Sequence, residues 1–420
     1  MGNSQSPPAA ADRRYASATR AFTHTELDHL KSLFASLAAK SSNNGDHISP
    51  SVFQEYFGLK GALGQKLFDL ITQPRKDGRI KFEDLVIAKS VYEKGSKDEI
   101  EEFIYQLLDV NGDGVVDRSD LESALVAVLL SIFGTEGSEH GQETVNAFLD
   151  AATFSKEANG ASGKAMSLAD FRSWSALIPS IRKFLGSLLI PPDAGRPGSQ
   201  VPELIFGEEV NSNMILLRKE YAWHIGGALP QHELEEWRLL YHSTVNGLSY
   251  NTFVSSISNG EGPTVLVMKD KEGYIYGGYA SQPWERHGDF YGDMKSFLFQ
   301  LHPKASLFKP TGANTNVQWC AVNFSSESIP NGIGFGGKVN HLGLFLSANF
   351  DSGHTFSCTT FGSPCLSKTS RIVPEVVECW GVVQSKGEQE KKDGPRGTVL
   401  ERFKEDRHML NMVGIANSSN

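Results

Sequence analysis

The chain has 420 residues, 40% of them hydrophobic and 10% aromatic, with a net charge of −9 and a pI near 5.8. That length suits two or three domains with sizeable cores, and the acidic balance excludes the basic footprint of a nucleic-acid binder. The four cysteines (Cys320, Cys358, Cys365, Cys379) fall late, make no CxxC pair and follow no signal-peptide pattern, which points to a reduced, cytosol-facing protein.

The first residues read MGNSQS. Gly2 with Ser6 at the required spacing matches the N-myristoylation pattern, and Pro7 departs from it. One acyl chain binds a membrane only marginally, so a second signal must accompany it: Arg13, Arg14 and Arg20, or a membrane-bound partner. Residues 1–20 are therefore read as a flexible N-terminus whose Gly2 myristate would meet a membrane surface.

From 21 to 189 apolar residues recur at helical spacing, as in ELDHLKSLFASL (26–37), KDEIEEFIYQLL (97–108), LESALVAVLLSIF (121–133) and ETVNAFLDAA (143–152). The greasiest runs, LVAVLLSIF (125–133) and FLGSLLI (184–190), fall well short of the ~18 apolar residues of a spanning helix. Polar loops separate successive helices at 41–53, 74–85, 109–121 and 159–171. Each carries a central apolar residue, Ile48, Ile80, Val116 or Met166, where paired EF-hand loops form a short β-bridge. The repeat resembles EF-hand units in two pairs.

The loop DVNGDGVVDRSD (109–120) keeps its ligands. Ca²⁺ is a hard cation that takes six to eight oxygens, supplied from loop positions 1, 3, 5, 7, 9 and 12. These are Asp109, Asn111, Asp113, the Val115 carbonyl, Asp117 through water, and Asp120, with Gly114 allowing the sharp turn. The pattern wants glutamate at position twelve; Asp120 is one methylene shorter and reaches the ion with one oxygen, which favours weaker Ca²⁺ binding or Mg²⁺. The other loops offer Ser41, Asn43, Gly45 and Val52, or Arg75, or no acid before Asp170, and read as scaffold.

A linker at 190–202, rich in proline and glycine, marks the boundary. Beyond it HELEEWRLLYHST (232–244) reads as a short amphipathic helix, and PTVLVMKDKEGYIYGGYAS (263–281) as a hairpin turning at Asp270–Gly273. VQWCAVNF (317–324), LGLFLSANF (342–350), HTFSC (354–358) and VVECWGVV (376–383) are strand-like. Short strands with glycine-rich turns and few helices predict a β-sandwich with flanking helices over 203–384. A charged linker, 385–397, leads to 398–416, where Leu400, Phe403, Leu410 and Val413 share one face of an amphipathic helix. Phe403 and Leu410 are its candidate partner-binding anchors; a helix packed on its own sandwich is the alternative.

Residues 203–384 resemble the TLDc family through ILLRKEYAWHIGGALP, Trp237 with LLYHSTVNGLS, GPTVLVMKD, GYIYGGYAS with Trp284, FYGDMKSFLFQL, GIGFGG, and TFGSPCL followed by VECWGV. The resemblance implies an α+β chain: an all-α EF-hand-like region, a two-sheet TLDc sandwich with flanking helices, and a tail helix. It also implies binding to the peripheral sector of the vacuolar-type proton ATPase from the cytoplasmic side of lysosomal or vacuolar membranes. Together with the N-terminal pattern and the EF-hand-like half, it points to members associated with the target-of-rapamycin complex; some members are described as protecting against oxidative damage.

Catalysis is not expected. GIGFGG (332–337) is followed by no lysine and Ser/Thr, so it is no P-loop. Cys358 has His354 and Asp351 near it in sequence, and HTFSC alternates so that His354, Phe356 and Cys358 share a strand face. No third residue orients the histidine, Cys365 has only Lys368, and Cys379 adjoins Glu378, whose charge opposes a thiolate. Glu378 and Trp380 read as a core pair, the glutamate satisfied by backbone donors. The sequence thus describes a non-enzymatic regulator with Ca²⁺ or Mg²⁺ in one loop. The alternatives are a growth-control signalling adaptor and a thiol-based antioxidant.

Overall fold

The computed structural model describes residues 10–41, 45–59, 61–73, 77–134, 141–157, 163–257, 262–326 and 328–383, residues 10–12 by their backbone alone. Gly2, the charged linker 385–397 and the predicted tail helix with Phe403 and Leu410 lie outside them.

The N-terminal part is helical: α1 (Ala10–Thr19), α2 (His24–Ser41), α3 (Pro50–Tyr56), α4 (Gly61–Thr72), α5 (Phe82–Lys94), α6 (Lys97–Leu108), α7 (Arg118–Phe133), α8 (Gly141–Asp150), α9 (Leu168–Leu177) and α10 (Pro179–Leu185). Several helices start where a short polar side chain stands three residues before an acid. Ser96 Oγ accepts the Glu99 N–H while the Glu99 carboxylate accepts the Ser96 N–H. Ser167 and Asp170 do the same for α9, and Thr23 and Glu26 for α2. Each such box satisfies donors that a helix start otherwise leaves unpaired.

Ile48 bridges Ile80 and Val116 bridges Met166, both antiparallel and all four residues buried, as the loop pattern predicted. A two-stranded ribbon pairs β1 (Lys156–Glu157), just before the last loop, with β2 (Lys164–Ala165) inside it. Buried Glu101 on α6 accepts from Arg172 Nε of α9 at 3.0 Å and from Arg182 of α10 at 2.9 Å, tying three helices together. In the 190–202 stretch Arg196 is only 3% exposed and donates to the Ile190, Leu188 and Phe57 carbonyls, so it is fastened to the helical part.

The second part begins with β3 (Glu203–Ile205), α11 (Lys219–Gly226), β4 (Glu236–His242), α12 (Ser243–Asn246) and α13 (Tyr250–Ile257). Strands β5 (Thr264–Asp270), β6 (Ile275–Ala280), β7 (Phe297–His302), β8 (Ser306–Phe308), β9 (Gln318–Ala321), β10 (Gly332–Lys338), β11 (His341–Ser347), β12 (Gly353–His354), β13 (Arg371–Ile372) and β14 (Pro374–Val383) follow. They form a seven-stranded sheet, β3-β4-β14-β5-β6-β7-β8, and a five-stranded sheet, β13-β12-β11-β10-β9. The hairpin predicted at 263–281 is β5–β6, closed by the Gly273 N–H donating to the Asp270 carbonyl.

Alternation along the strands makes the layers. Leu266 and Met268 of β5 face Ile333 and Phe335 of β10 in the core between the sheets. Val265 and Val267 point the other way, onto Tyr221, Ala222 and Ile225 of α11. Gly278 is needed for this packing, since a Cβ there would stand 2.7 Å from the Phe335 ring. The helical core extends to Trp223 of α11 and to Ala305, so the two parts share a packed junction.

Two expectations are corrected. Residues 232–244 are not a helix: one short turn at Gln231–Glu233 leads into strand β4. Trp237 and Tyr241 are four apart, which mimics one helical face, yet the register slips between the β14 partners Cys379 and Trp380 so that Leu240 bulges. The bulge sends Trp237 to the α11 side and Tyr241 to the core between the sheets. Nor is HTFSC a strand throughout: β12 ends at His354, and Cys358 pairs only through an isolated bridge to Ser363.

Candidate metal centre

Helix α6 ends at Asp109 and α7 starts from Asp117, whose carboxylate accepts the Asp120 N–H at 2.9 Å. Between them the chain turns through Gly112 and Gly114, at φ +80° and +87°, the left-handed region that glycine enters without strain. Asp109 and Asn111 organise the loop from within. The Gly112 and Gly114 N–H groups donate to the two oxygens of Asp109, the Asp113 N–H to Asn111 Oδ1, and the Val115 N–H to Asp113 Oδ1.

This folding gathers carboxylate oxygens of Asp109, Asp113 and Asp120 within 4.8 Å of one another. Asp120, 4% exposed, accepts from the Asn111 N–H at 3.1 Å and the Asp117 N–H at 3.3 Å. Burial pushes its carboxyl up from the usual range despite those donors, and the neighbouring charges of Asp117 and Asp109 push the same way. An all-oxygen, net-negative set of this kind suits a hard divalent cation, and a positive group already stands at it. The Lys66 ammonium of α4 lies 3.3 Å from Asp109 Oδ2, with side chains 11% and 15% exposed. Sequence reading missed Lys66: no spacing rule connects it to a loop on another helix pair.

Asp170, the acid of the last loop, is held by Ser155 and Ser167. Burial alone would raise the Asp170 carboxyl, yet hydrogen bonds from Ser155 and Ser167 outweigh it and hold it at about 2. All four of those bonds go to the same oxygen, Oδ2.

The thiol candidates are engaged elsewhere. His354 Nε2 accepts the Leu342 N–H at 3.2 Å, and its ring stacks on Phe345. Cys358 is buried in the core between the sheets with Phe361. Cys365 donates to the Thr355 and Ser367 carbonyls, and burial pushes Cys379 up to about 12. Glu378 is fully buried and accepts from the Leu216 and Leu217 N–H groups and from Trp380 Nε1, which anchors the segment leading into α11. His242 Nδ1 accepts the Thr244 N–H, leaving Nε2 to carry the proton toward the Met214 carbonyl, with Glu378 Oε1 at 3.5 Å.

The family model of the TLDc domain matches residues 210–383. The chain carries a TLDc domain. Strands β4 to β14 with their flanking helices are its sandwich, and Glu378 and Trp380 lie in its closing strand. The mouse "MTOR-associated protein MEAK7" is 31% identical over 254 residues, covering 59% of this chain and 54% of that protein. The zebrafish protein of the same name is 32% identical over 256 residues, 59% of this chain and 56% of its own. These alignments are longer than the TLDc domain match and therefore reach beyond it. Bovine "Oxidation resistance protein 1" is 30% identical over 144 residues, 34% of this chain and 16% of its own. The chain spans about half the length of the MTOR-associated relatives it matches.

Proposed function

We propose that the protein is a non-enzymatic regulator. Its TLDc domain docks on the peripheral sector of the vacuolar-type proton ATPase at lysosomal or vacuolar membranes, and a divalent ion in loop 109–120 modulates it. The observation that carries the reading is the TLDc domain at 210–383, joined through a packed junction to a helical part that holds an oxygen-lined loop. The engaged His354 and buried Cys358 support a binding role over thiol chemistry. No described helix is long and apolar enough to cross a membrane, so attachment falls to a partner or to a Gly2 acyl chain. Intact mass together with a Gly2→Ala fractionation tests that chain.

A second reading, adaptor of a target-of-rapamycin complex, is favoured by the MTOR-associated relatives whose alignments extend past the domain. A pull-down of full-length protein from lysosomal membranes separates the two. Enrichment of ATPase peripheral subunits is the expected result. Recovery of the kinase complex without pump subunits supports the second reading, and recovery of neither overturns both. Peroxide turnover by purified protein that vanishes in Cys358→Ser would return the antioxidant reading. For the ion, calorimetry should show about one Ca²⁺ per chain, lost in Asp109→Ala with Asp113→Ala.

A further inference from the structure

We propose that Lys66 sets the affinity of the 109–120 loop by competing with the divalent ion for Asp109. This rests on the reading of that loop as a metal site. Both carboxylate oxygens of Asp109, the position-one ligand, already have donors: Oδ1 the Gly112 N–H at 2.9 Å, Oδ2 the Gly114 N–H at 3.2 Å and the Lys66 ammonium at 3.3 Å. A Cβ built on Gly112 would stand 3.7 Å from Lys66 Nζ, so the ammonium lies over the loop itself.

An ion bound by Asp109 and Asp113 would have this ammonium as a near neighbour. At such range, and with the lysine largely shielded from water, the repulsion between the two cations is strong. Lys66 must leave Asp109 for the ion to enter. Without metal it offsets part of the charge of Asp109, Asp113, Asp117 and Asp120, which lets the loop keep its shape.

Lys66 is carried by α4, whose Leu63, Leu67 and Phe68 belong to the helical core, while the ligands stand on the α6–α7 loop. The device is a built-in cation that an external one must displace.

The test is Ca²⁺ calorimetry on the full chain, on Lys66→Met, which keeps the apolar stem, and on Lys66→Arg, which keeps the charge. The Asp109→Ala, Asp113→Ala chain gives the blank. Lys66→Met should tighten binding by roughly tenfold or more, and Lys66→Arg should stay near the wild-type value. Equal affinity in Lys66→Met and wild type, with binding lost in the blank, overturns the role of Lys66 and leaves the metal reading standing. Heat from none of the chains, Lys66→Met included, overturns the metal reading itself. Should Lys66→Met fail to fold, the wild-type protein still decides. The lysine ε-CH₂ signal absent from Lys66→Arg should shift on adding Ca²⁺, and Ca²⁺ binding that leaves that signal unmoved overturns the competition.

Discussion

Asp120 stands where an EF-hand loop usually carries glutamate, and its carboxylate is held by the Asn111 and Asp117 N–H groups. Those bonds hold the side chain within the oxygen cluster, where a bound ion would meet it one methylene short of two-point contact. Asp120→Glu should therefore tighten Ca²⁺ by roughly tenfold while Mg²⁺ gains less, because only the larger ion accepts a bidentate ligand comfortably. Calorimetry with both ions checks this, and equal gains for the two would mean that position twelve does not select between them. The clustering of Asp109, Asp113 and Asp120 was legible because they lie within a dozen residues. Lys66 was not, because it reaches Asp109 through helix packing alone.

At the scale of elements, α6 is the helix on which the second half of the helical region is assembled. Glu101 on its buried face holds Arg182 of α10, 15% exposed, and Arg172 of α9, 43% exposed. Truncating the acid removes the buried carboxylate that α9 and α10 share through Arg172 and Arg182, the costly way to break a buried ion pair. Glu101→Ala should lower unfolding stability by about 3 kcal/mol, read by denaturant titration. Arg172→Ala should cost less than about 1 kcal/mol, since its head is screened by water. Similar losses in the two variants would mean that Arg172, not Arg182, is the main partner. Strand β4 shows the opposite kind of lesson. Its tryptophan and tyrosine are spaced like a helix, and only the bulge at Leu240, imposed by pairing with β14, makes them face opposite sides.

For the molecule as a whole, the junction between the two parts carries a pH dependence. His224 of α11 is fully buried against Phe148 of α8, and its ring nitrogens have no hydrogen-bond partner among the described residues. Burial lowers its pKa from 6.5 to about 3. Below pH 6.5 the unfolded chain takes up a proton that the native state refuses until about 3, so stability falls with pH across that window. The slope from this one group approaches about 1.4 kcal/mol per pH unit. His224→Phe should flatten the wild-type curve by that amount between pH 6 and 4, followed by denaturant midpoints, and an unchanged slope would place the acid sensitivity elsewhere. The docking proposed above gives a separate expectation for residues 398–416. A chain ending at Gly397 is expected to melt like the full protein and to elute more readily from purified ATPase, with Phe403→Ala and Leu410→Ala together costing roughly tens- to thousands-fold in affinity. A lower melting temperature with unchanged binding would make 398–416 part of the core.

The sequence by itself determined whatever rests on neighbours along the chain. The helix starts at Ser96 and Ser167, the bridge residues Ile48, Ile80, Val116 and Met166, the β5–β6 hairpin and the oxygen set of 109–120 each depend on spacings of a few residues. The motif order from ILLRKEYAWHIGGALP to VECWGV likewise pointed to the TLDc domain. Tertiary structure alone decided what depends on partners far away in sequence. The ammonium at Asp109 comes from residue 66, the donors to Glu378 come from 216 and 217, and His224 loses its solvent to a helix near 148. Charge and burial act through space, so a pattern read along one dimension carries the oxygen cluster of 109–120 but not the ammonium that packing brings to it.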